Sequence, residues 1–324
     1  MKIKEGRGIT MKRIFELTNG DIESLNKEEL KDIIKNSEGR TVMSETIISY
    51  TPYIREVSNP ELAASFGADM ITLNTFNFEK PYVFGFGNAN LSDGIEKAYN
   101  IITEEIKNNI NDKNYIRNIR SLVGRLIGVN MEPVPEGSTY ETGYRLNRAN
   151  LEKVKEYGFN HIVITGNPST GITEETICEG IKLAKEVLGD STLIIAGKMH
   201  GAGSGNIYDE KVVKSFVECG ADVVLFPAPG TVPGFTEDLA KKMVDAIHEA
   251  GALAMTTIGT SQEGASEAVI EKIALMSKMA GADIQHIGDC GTFGMALPEN
   301  IMKLSVTIRG VRHTYRRMAQ SIRR

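Results

Sequence analysis

The chain has 324 residues, 41% hydrophobic and 24% charged, with a net charge of −5 and a pI near 5.7. That length supports one large domain or two small ones around a substantial core, and the acidic balance argues against nucleic acid as the main partner. Cys178, Cys219 and Cys290 are scattered with no CxxC or metal-like spacing, which fits a reducing compartment better than a disulfide framework.

The N-terminal MKIKEGRGITMKRIFELTNGD lacks an apolar signal core, and no stretch approaches the roughly 18–20 apolar residues that span a bilayer. A cytoplasmic protein with no membrane partner is expected. Residues 1–39 read as an extension and helix, with 12–39 a helical lead-in over the bottom of the fold. From Arg40 onward one pattern repeats: an apolar run, a Gly/Asn/Pro/Ser loop, then an amphipathic stretch. Candidate strands are TVMSETII (41–48), DMITLNTF (69–76), RLIGVNME (125–132), NHIVITG (160–166), TLIIAG (192–197), DVVLFP (222–227), ALAMTTIG (252–259) and DIQHIGD (283–289). Their continuous apolar character suits strands buried on both faces of a parallel sheet.

Helical segments fall between them. NPELAASFGAD has Ser58 as N-cap, Pro60 early and Gly67 near its end, the usual start and stop signals. DGIEKAYNIITEEIKNNI, NRANLEKVKEYG, TEETICEGIKLAKEVLG, DEKVVKSFVECG, TEDLAKKMVDAIHEAG and SEAVIEKIALMSKMAG follow the same logic. The phrase GAD recurs at 67–69, 220–222 and 281–283, each time joining a helix end to a strand. Eight such units over roughly 280 residues are the arithmetic of a (β/α)8 TIM barrel, spanning 40–324 with a basic C-terminal helix. A doubly wound sheet is the alternative. No GxGxxG follows the first strand, and GAGSG (201–205) lacks the Walker lysine, so no nucleotide cofactor is expected.

Barrel chemistry sits at the C-terminal ends of strands. Those positions carry Glu45, Asn74, Asn130, Glu132, Thr165, Asn167, Lys198, His200 and Asp289. Lys198 and His200, two residues apart, share a face on extended backbone. Lys198 could form a Schiff base, clamp a phosphate or polarise a carbonyl; an inert rim lysine is the plain alternative. Glu132 suits a general base or metal ligand, or a partner for a barrel arginine. His200 suits acid–base work or metal binding. Asp289 could act chemically or cap its loop, and an inward Glu45 needs a partner. His161 and His286 lie within strand bodies and read as packed, hydrogen-bonded histidines. A divalent metal would draw on Glu45, Glu132, His200 and Asp289, without a short spacing motif to support it. The loops IGTSQEGAS (258–266) and GDCGTFG (288–294) suggest a phosphate site from Gly259, Thr260, Ser261, Gly291 and Thr292, through backbone and hydroxyl donors, although Glu263 and Asp289 would repel an anion unless they face elsewhere.

The C-terminal VTIRGVRHTYRRMAQSIRR holds six arginines and no acid from Arg309 onward. Arg309, Arg312, Arg316 and Arg323 recur at helical spacing, and a stripe pairing with acidic outer helices or a neighbouring subunit is expected.

GKMHGAG, TTIGTSQEGA and PENIMKLSVTIRGVRHTYRRM resemble an uncharacterised family of bacterial barrel proteins, over nearly the whole chain. Members of that family carry the labels haloacid-dehalogenase-like hydrolase or phosphoenolpyruvate phosphonomutase-like. The chain lacks the DxDx[T/V] nucleophile of the first group after its first strand, and the acidic metal-site motifs of the second near strands three and four. The expectation is a barrel enzyme, a lyase, aldolase or isomerase acting on a small anionic, phosphorylated or carboxylated carbohydrate-like substrate. It would use Lys198 at the carbonyl and Glu132 and His200 as acid–base groups or metal ligands. A metal-assisted hydrolase and a non-catalytic effector-binding barrel are the alternatives, and a homo-oligomer is expected.

Overall fold

The computed structural model describes residues 12–166, 170–198, 209–289 and 292–323. Eight parallel strands close into a barrel in chain order: β1 (Thr41–Ile47), β2 (Met70–Asn74), β3 (Leu126–Met131), β4 (His161–Ile164), β5 (Leu193–Gly197), β6 (Val223–Pro227), β7 (Leu253–Ile258) and β8 (Ile284–Ile287). The helices are α1 (Asn19–Ser24), α2 (Lys27–Asn36), α3 (Asn59–Ser65), α4 (Ile95–Asn109), α5 (Tyr115–Val123), α6 (Arg148–Tyr157), α7 (Glu174–Leu188), α8 (Glu210–Cys219), α9 (Glu237–Glu249), α10 (Glu267–Ala280) and α11 (Pro298–Met318). Each predicted strand is present, and Ser58 caps α3 in a reciprocal box with Glu61 (3.1 and 3.2 Å), satisfying amides that the helix start leaves open.

Alternation along each strand divides the core in two. Met43, Met70, Leu126, Val163, Leu193, Ile195, Val223, Leu225, Leu253, Met255 and Ile284 point inward and form one cluster with Ile14, Phe15, Leu17, Ile22, Leu30, Ile33 and Ile34. The N-terminal lead-in therefore plugs the bottom of the barrel. The other strand faces pack against the outer helices.

The GAD turns have a shared function. Asp69 Oδ2 accepts from Val42 N (2.9 Å), Asp222 Oδ2 from Ile194 N (2.9 Å) and Asp283 Oδ2 from Ala254 N (2.8 Å). Asn160 Oδ1 does the same for Ile127 N (3.0 Å). At the start of every even-numbered strand, one side chain thus satisfies an amide of the preceding strand, where a buried unpaired donor would be costly. Each aspartate also meets a basic side chain: Asp222 lies 3.6 Å from Lys27 and from Lys31, and Asp283 lies 2.8 Å from His248, whose pKa that hydrogen bond raises.

Asp69 meets two. Arg309 (2.6 Å) and Arg317 (2.9 Å) pair with it in fully buried contacts. This corrects the expected surface stripe. Arg309 turns inward, Gly310 breaks α11 with φ 74°, and the residues beyond it follow a shifted helical phase. Arg312 and Arg316 remain exposed while Arg317 is buried.

A second departure lies between β2 and β3. The amphipathic stretch at 93–110 forms α4, yet it buries only Ala98, whereas the unpredicted α5 covers the barrel through Ile116, Ile119 and Val123. The i, i+3, i+7 spacing of those residues was the available signal. Among the described residues no helix is long and apolar enough to cross a membrane.

Candidate functional site

Glu45, Thr72, Gly128 and His161 occupy one inward-facing row across β1 to β4, as the strand register requires. The His161 ring lies over Gly128, where an added Cβ would sit 2.2 Å from it, and so reaches Thr72 Oγ1 at 3.0 Å. This contact shares one proton between Thr72 Oγ1 and His161 Nε2, and His161 Nδ1 has no hydrogen-bond partner. Burial, helped by nearby His286, pushes the His161 pKa down to about 3, so this imidazole is neutral near pH 7.

Glu45 joins the neighbouring strands. Its Oε2 accepts from His286 Nε2 on β8 at 2.9 Å, and its Oε1 accepts from Asn130 Nδ2 on β3. Glu45 and His286 are each 2% exposed. A buried carboxylate needs such partners, and here they fix its orientation. His286 Nδ1, His161 Nδ1, Asn130 Oδ1 and Thr165 Oγ1 are buried without a hydrogen-bond partner. Nearer the mouth, Asn74 Nδ2 donates to Asp289 Oδ2 (2.6 Å). Tyr140 Oη donates to Glu132 Oε1 (2.8 Å), folding the β3–α6 loop over that carboxylate. Burial and the Glu132 charge push the Tyr140 phenol well up, keeping it a proton donor.

Five of the predicted residues therefore lie at the strand ends of β1, β2 and β3 and in the loop after β8, in three local contacts: Glu45 with Asn130, Asn74 with Asp289, and Glu132 with Tyr140. His161 and His286 hold their buried, hydrogen-bonded places as read, but they point into the barrel, His286 onto Glu45 and His161 onto Thr72. Both strands are buried throughout, so no local alternation marks these two positions as inward and only the barrel register does.

Lys198 is arranged differently. Alternation from inward Ile195 puts Gly197 inward and Lys198 outward, and the ammonium acts on Glu175 in the first turn of α7. In the β7 loop, Thr260 and Ser261 adopt left-handed backbone (φ 57° and 67°). The Thr260 hydroxyl faces the carbonyls of Thr231 and Gly259, each at 2.7 Å, so its single proton is spent on backbone. Glu263 is fully buried, with its carboxyl carbon 3.8 Å from the place of a Cβ on Gly288. Gly259 is open, with nothing near its Cβ position, and Thr292 begins a short 3-10 turn (Thr292–Gly294). His200, Asn167 and Gly291 lie outside the described residues.

Among the described residues no three His, Cys, Asp or Glu side chains converge on a common metal position. Glu45 and Asp289 each engage a protein donor instead. A cleft of about 530 Å³ opens beside the mouth between the loops after β1 and β2, lined by Tyr53, Arg55, Phe84, Asn88, Asn90 and Ser92 among others. None of the clustered polar residues lines it.

A family profile described as a domain of unknown function, DUF7916, matches residues 15–324. The chain belongs to the DUF7916 family. No curated protein matches this DUF7916 chain. Among solved structures it is similar to the carboxyl transferase domain of Rhizobium etli pyruvate carboxylase with 3-bromopyruvate (12% identity, TM-score 0.52, 98% of this chain and 53% of that one). A variant of the same domain with pyruvate aligns at 12% identity, TM-score 0.50, over 98% and 54% of the two chains. This chain thus spans about half the length of those matches. A 2,3-dimethylmalate lyase, described as a PEP mutase/isocitrate lyase superfamily member, aligns at 12% identity and TM-score 0.46 over 84% and 81%. At these identities the likeness to the two carboxyl transferase structures shows the barrel fold alone.

Proposed function

We propose that this DUF7916 protein is a barrel enzyme, a lyase, aldolase or isomerase that moves a proton on a small hydroxylated substrate bearing a carboxylate or phosphate. The observation that carries this reading is the Glu45–His286 pair, nearly fully buried and facing inward beneath the barrel mouth. Glu45 steadies the imidazole through Nε2 and leaves Nδ1 to take or release a proton, the division of labour that a carboxylate–histidine pair supports. Asn130 Oδ1 and His161 Nδ1 are unpartnered polar atoms left for the substrate's hydroxyls. Glu132 with Tyr140, and Asp289 with Asn74, supply further proton-bearing pairs at the mouth. The loops after β7 and β8, with the open Gly259, would hold the anionic end of the substrate, and Lys198, which leaves β5 outward, is not assigned to it.

The test is proton exchange. The enzyme is incubated in deuterium oxide with a panel of hydroxylated 2-oxo acids and phosphorylated ketoses, and loss of the proton beside the carbonyl is followed by NMR. Exchange is expected with at least one compound, slowed by about 10²-fold or more in His286→Gln and Glu45→Gln. Exchange that proceeds at the native rate in both folded variants, or no exchange across the panel, would sink the assignment.

A further inference from the structure

The cleft beside the barrel mouth encloses about 530 Å³ between the loops after β1 and β2, within the usual size of a small-molecule site. Its walls are preformed. Asn59 accepts from Tyr53 N (2.9 Å) and donates to the Phe293 carbonyl (2.8 Å), tying the β1 loop to the β8 loop. The Tyr53 ring meets Phe293 edge-on at 5.6 Å. On the other side Phe84 N donates to Ile48 O (3.2 Å), and Asn88 donates to Glu105 through its backbone and its side-chain amide (2.8 Å each). Pro52, Tyr53, Phe84 and Leu91 give the cleft an apolar and aromatic lining.

Arg55 and Glu56 are the charged residues of that lining. Neither has an ion-pair or hydrogen-bond partner among the described residues. They form the centre of a tight turn closed by Val57 N on Ile54 O (3.2 Å), and Glu56 holds φ 70°. Extended backbone would send consecutive side chains to opposite faces, whereas the left-handed residue lets both line one cleft. Glycine or asparagine ordinarily takes this third position of a turn. A glutamate there gives up backbone stability, and strain of this kind concentrates where ligands are held. In the cleft of about 400 Å³ at the barrel bottom, by contrast, Lys31 already holds Glu28 (3.2 Å) and His248 holds Asp283 (2.8 Å).

We infer that the cleft beside the mouth binds the zwitterion of an α-amino acid with an aromatic side chain. Arg55 takes the carboxylate, which its guanidinium fork suits, and Glu56 takes the ammonium. Pro52, Tyr53, Phe84 and Leu91 enclose the ring. The two ligand charges sit on one carbon, which matches two protein charges on successive residues. An anion without an amine would face Glu56 uncompensated, and an amine without a carboxylate would face Arg55. The site shares no residue with the Glu45–His286 pair, so the inference stands independently of the proton-transfer reading.

Saturation-transfer NMR titrations of the full chain test it with three matched probes: L-phenylalanine, hydrocinnamate, which lacks the ammonium, and phenethylamine, which lacks the carboxylate. L-Phenylalanine is expected to saturate with a Kd below about 1 mM, and each of the others to bind at least about tenfold more weakly. Arg55→Gln should remove the preference over phenethylamine, and Glu56→Gln the preference over hydrocinnamate. Glu56→Gly should weaken L-phenylalanine binding by about tenfold with no fall in melting temperature, because glycine suits this backbone. No saturation by L-phenylalanine, equal affinity for the three probes, or preferences that survive both glutamine substitutions would each overturn the site. So would a Glu56→Gly chain that melts lower yet binds as the native one does, since glutamate would then serve stability alone.

Discussion

Replacing Gly128 by alanine places one methyl group where the His161 ring now lies. The added Cβ would meet His161 Cδ2 and Nε2 at 2.2 Å and Cγ at 2.4 Å, against an optimum of about 3.5–4.0 Å for non-bonded carbon. The ring has to move by more than about 1 Å, which breaks its 3.0 Å hydrogen bond to Thr72. Overpacking of this kind costs about 1–3 kcal/mol and the lost bond about 1 kcal/mol. Gly128 is not among the glycines with positive φ, so alanine suits the backbone and returns about 0.4–1 kcal/mol through the unfolded state. The net expectation is a loss of about 2–3 kcal/mol by urea unfolding. In a His161→Ala background the methyl meets empty space, and Gly128→Ala should be neutral or slightly stabilising, a coupling of about 2 kcal/mol or more in the cycle. A Gly128→Ala penalty below about 0.5 kcal/mol, or an equal penalty in both backgrounds, would refute the claim that His161 occupies this position.

Asp69→Asn removes the charge opposite buried Arg309 and Arg317 beside Arg125, whose pKa is already lowered by burial and by Arg317; a loss of about 3–5 kcal/mol is expected, and a change under about 1 kcal/mol would contradict that pairing. Asp222→Asn keeps an acceptor for Ile194 N but strips the charge beside largely buried Lys27, so a loss of about 2 kcal/mol is expected in the same melts, and Asp222→Ala, which also leaves the amide unpaired, should cost about 1 kcal/mol more. His161 has a folded pKa of about 3 against about 6.5 unfolded. Its contribution is therefore complete above pH 6.5 and is lost as pH falls, at about 1.4 kcal/mol per unit. The stability difference between native protein and His161→Gln should shrink by about 2 kcal/mol between pH 7.5 and 5, measured from urea midpoints, and a constant difference would show that His161 is not buried neutral. Ser58→Ala should cost about 1 kcal/mol through the lost cap of α3, with no effect on proton exchange at the barrel mouth.

Local chemistry determined much of this protein. The eight apolar runs, the Ser58 cap and the recurring GAD turns specify strands, helix starts and the order of a parallel barrel, because each depends on residues close in the chain. The choice of end for the chemistry also followed from the fold class, and Glu45, Asn74, Asn130, Glu132 and Asp289 were legible as candidates on that basis. Their partners were not. A strand buried on both faces carries no polar–apolar alternation, so nothing in NHIVITG or DIQHIGD says that His161 and His286 face the barrel axis. Nor does TVMSETII say that Glu45 meets a histidine 241 residues away. The inward turn of Arg309 and Arg317 toward Asp69 depends on the break at Gly310 and on the packing of α11 against the start of β2. The outward path of Lys198 depends on the phase of β5. Contacts across sheet and helix layers are set by register and closure of the whole barrel, and only the tertiary structure decided them.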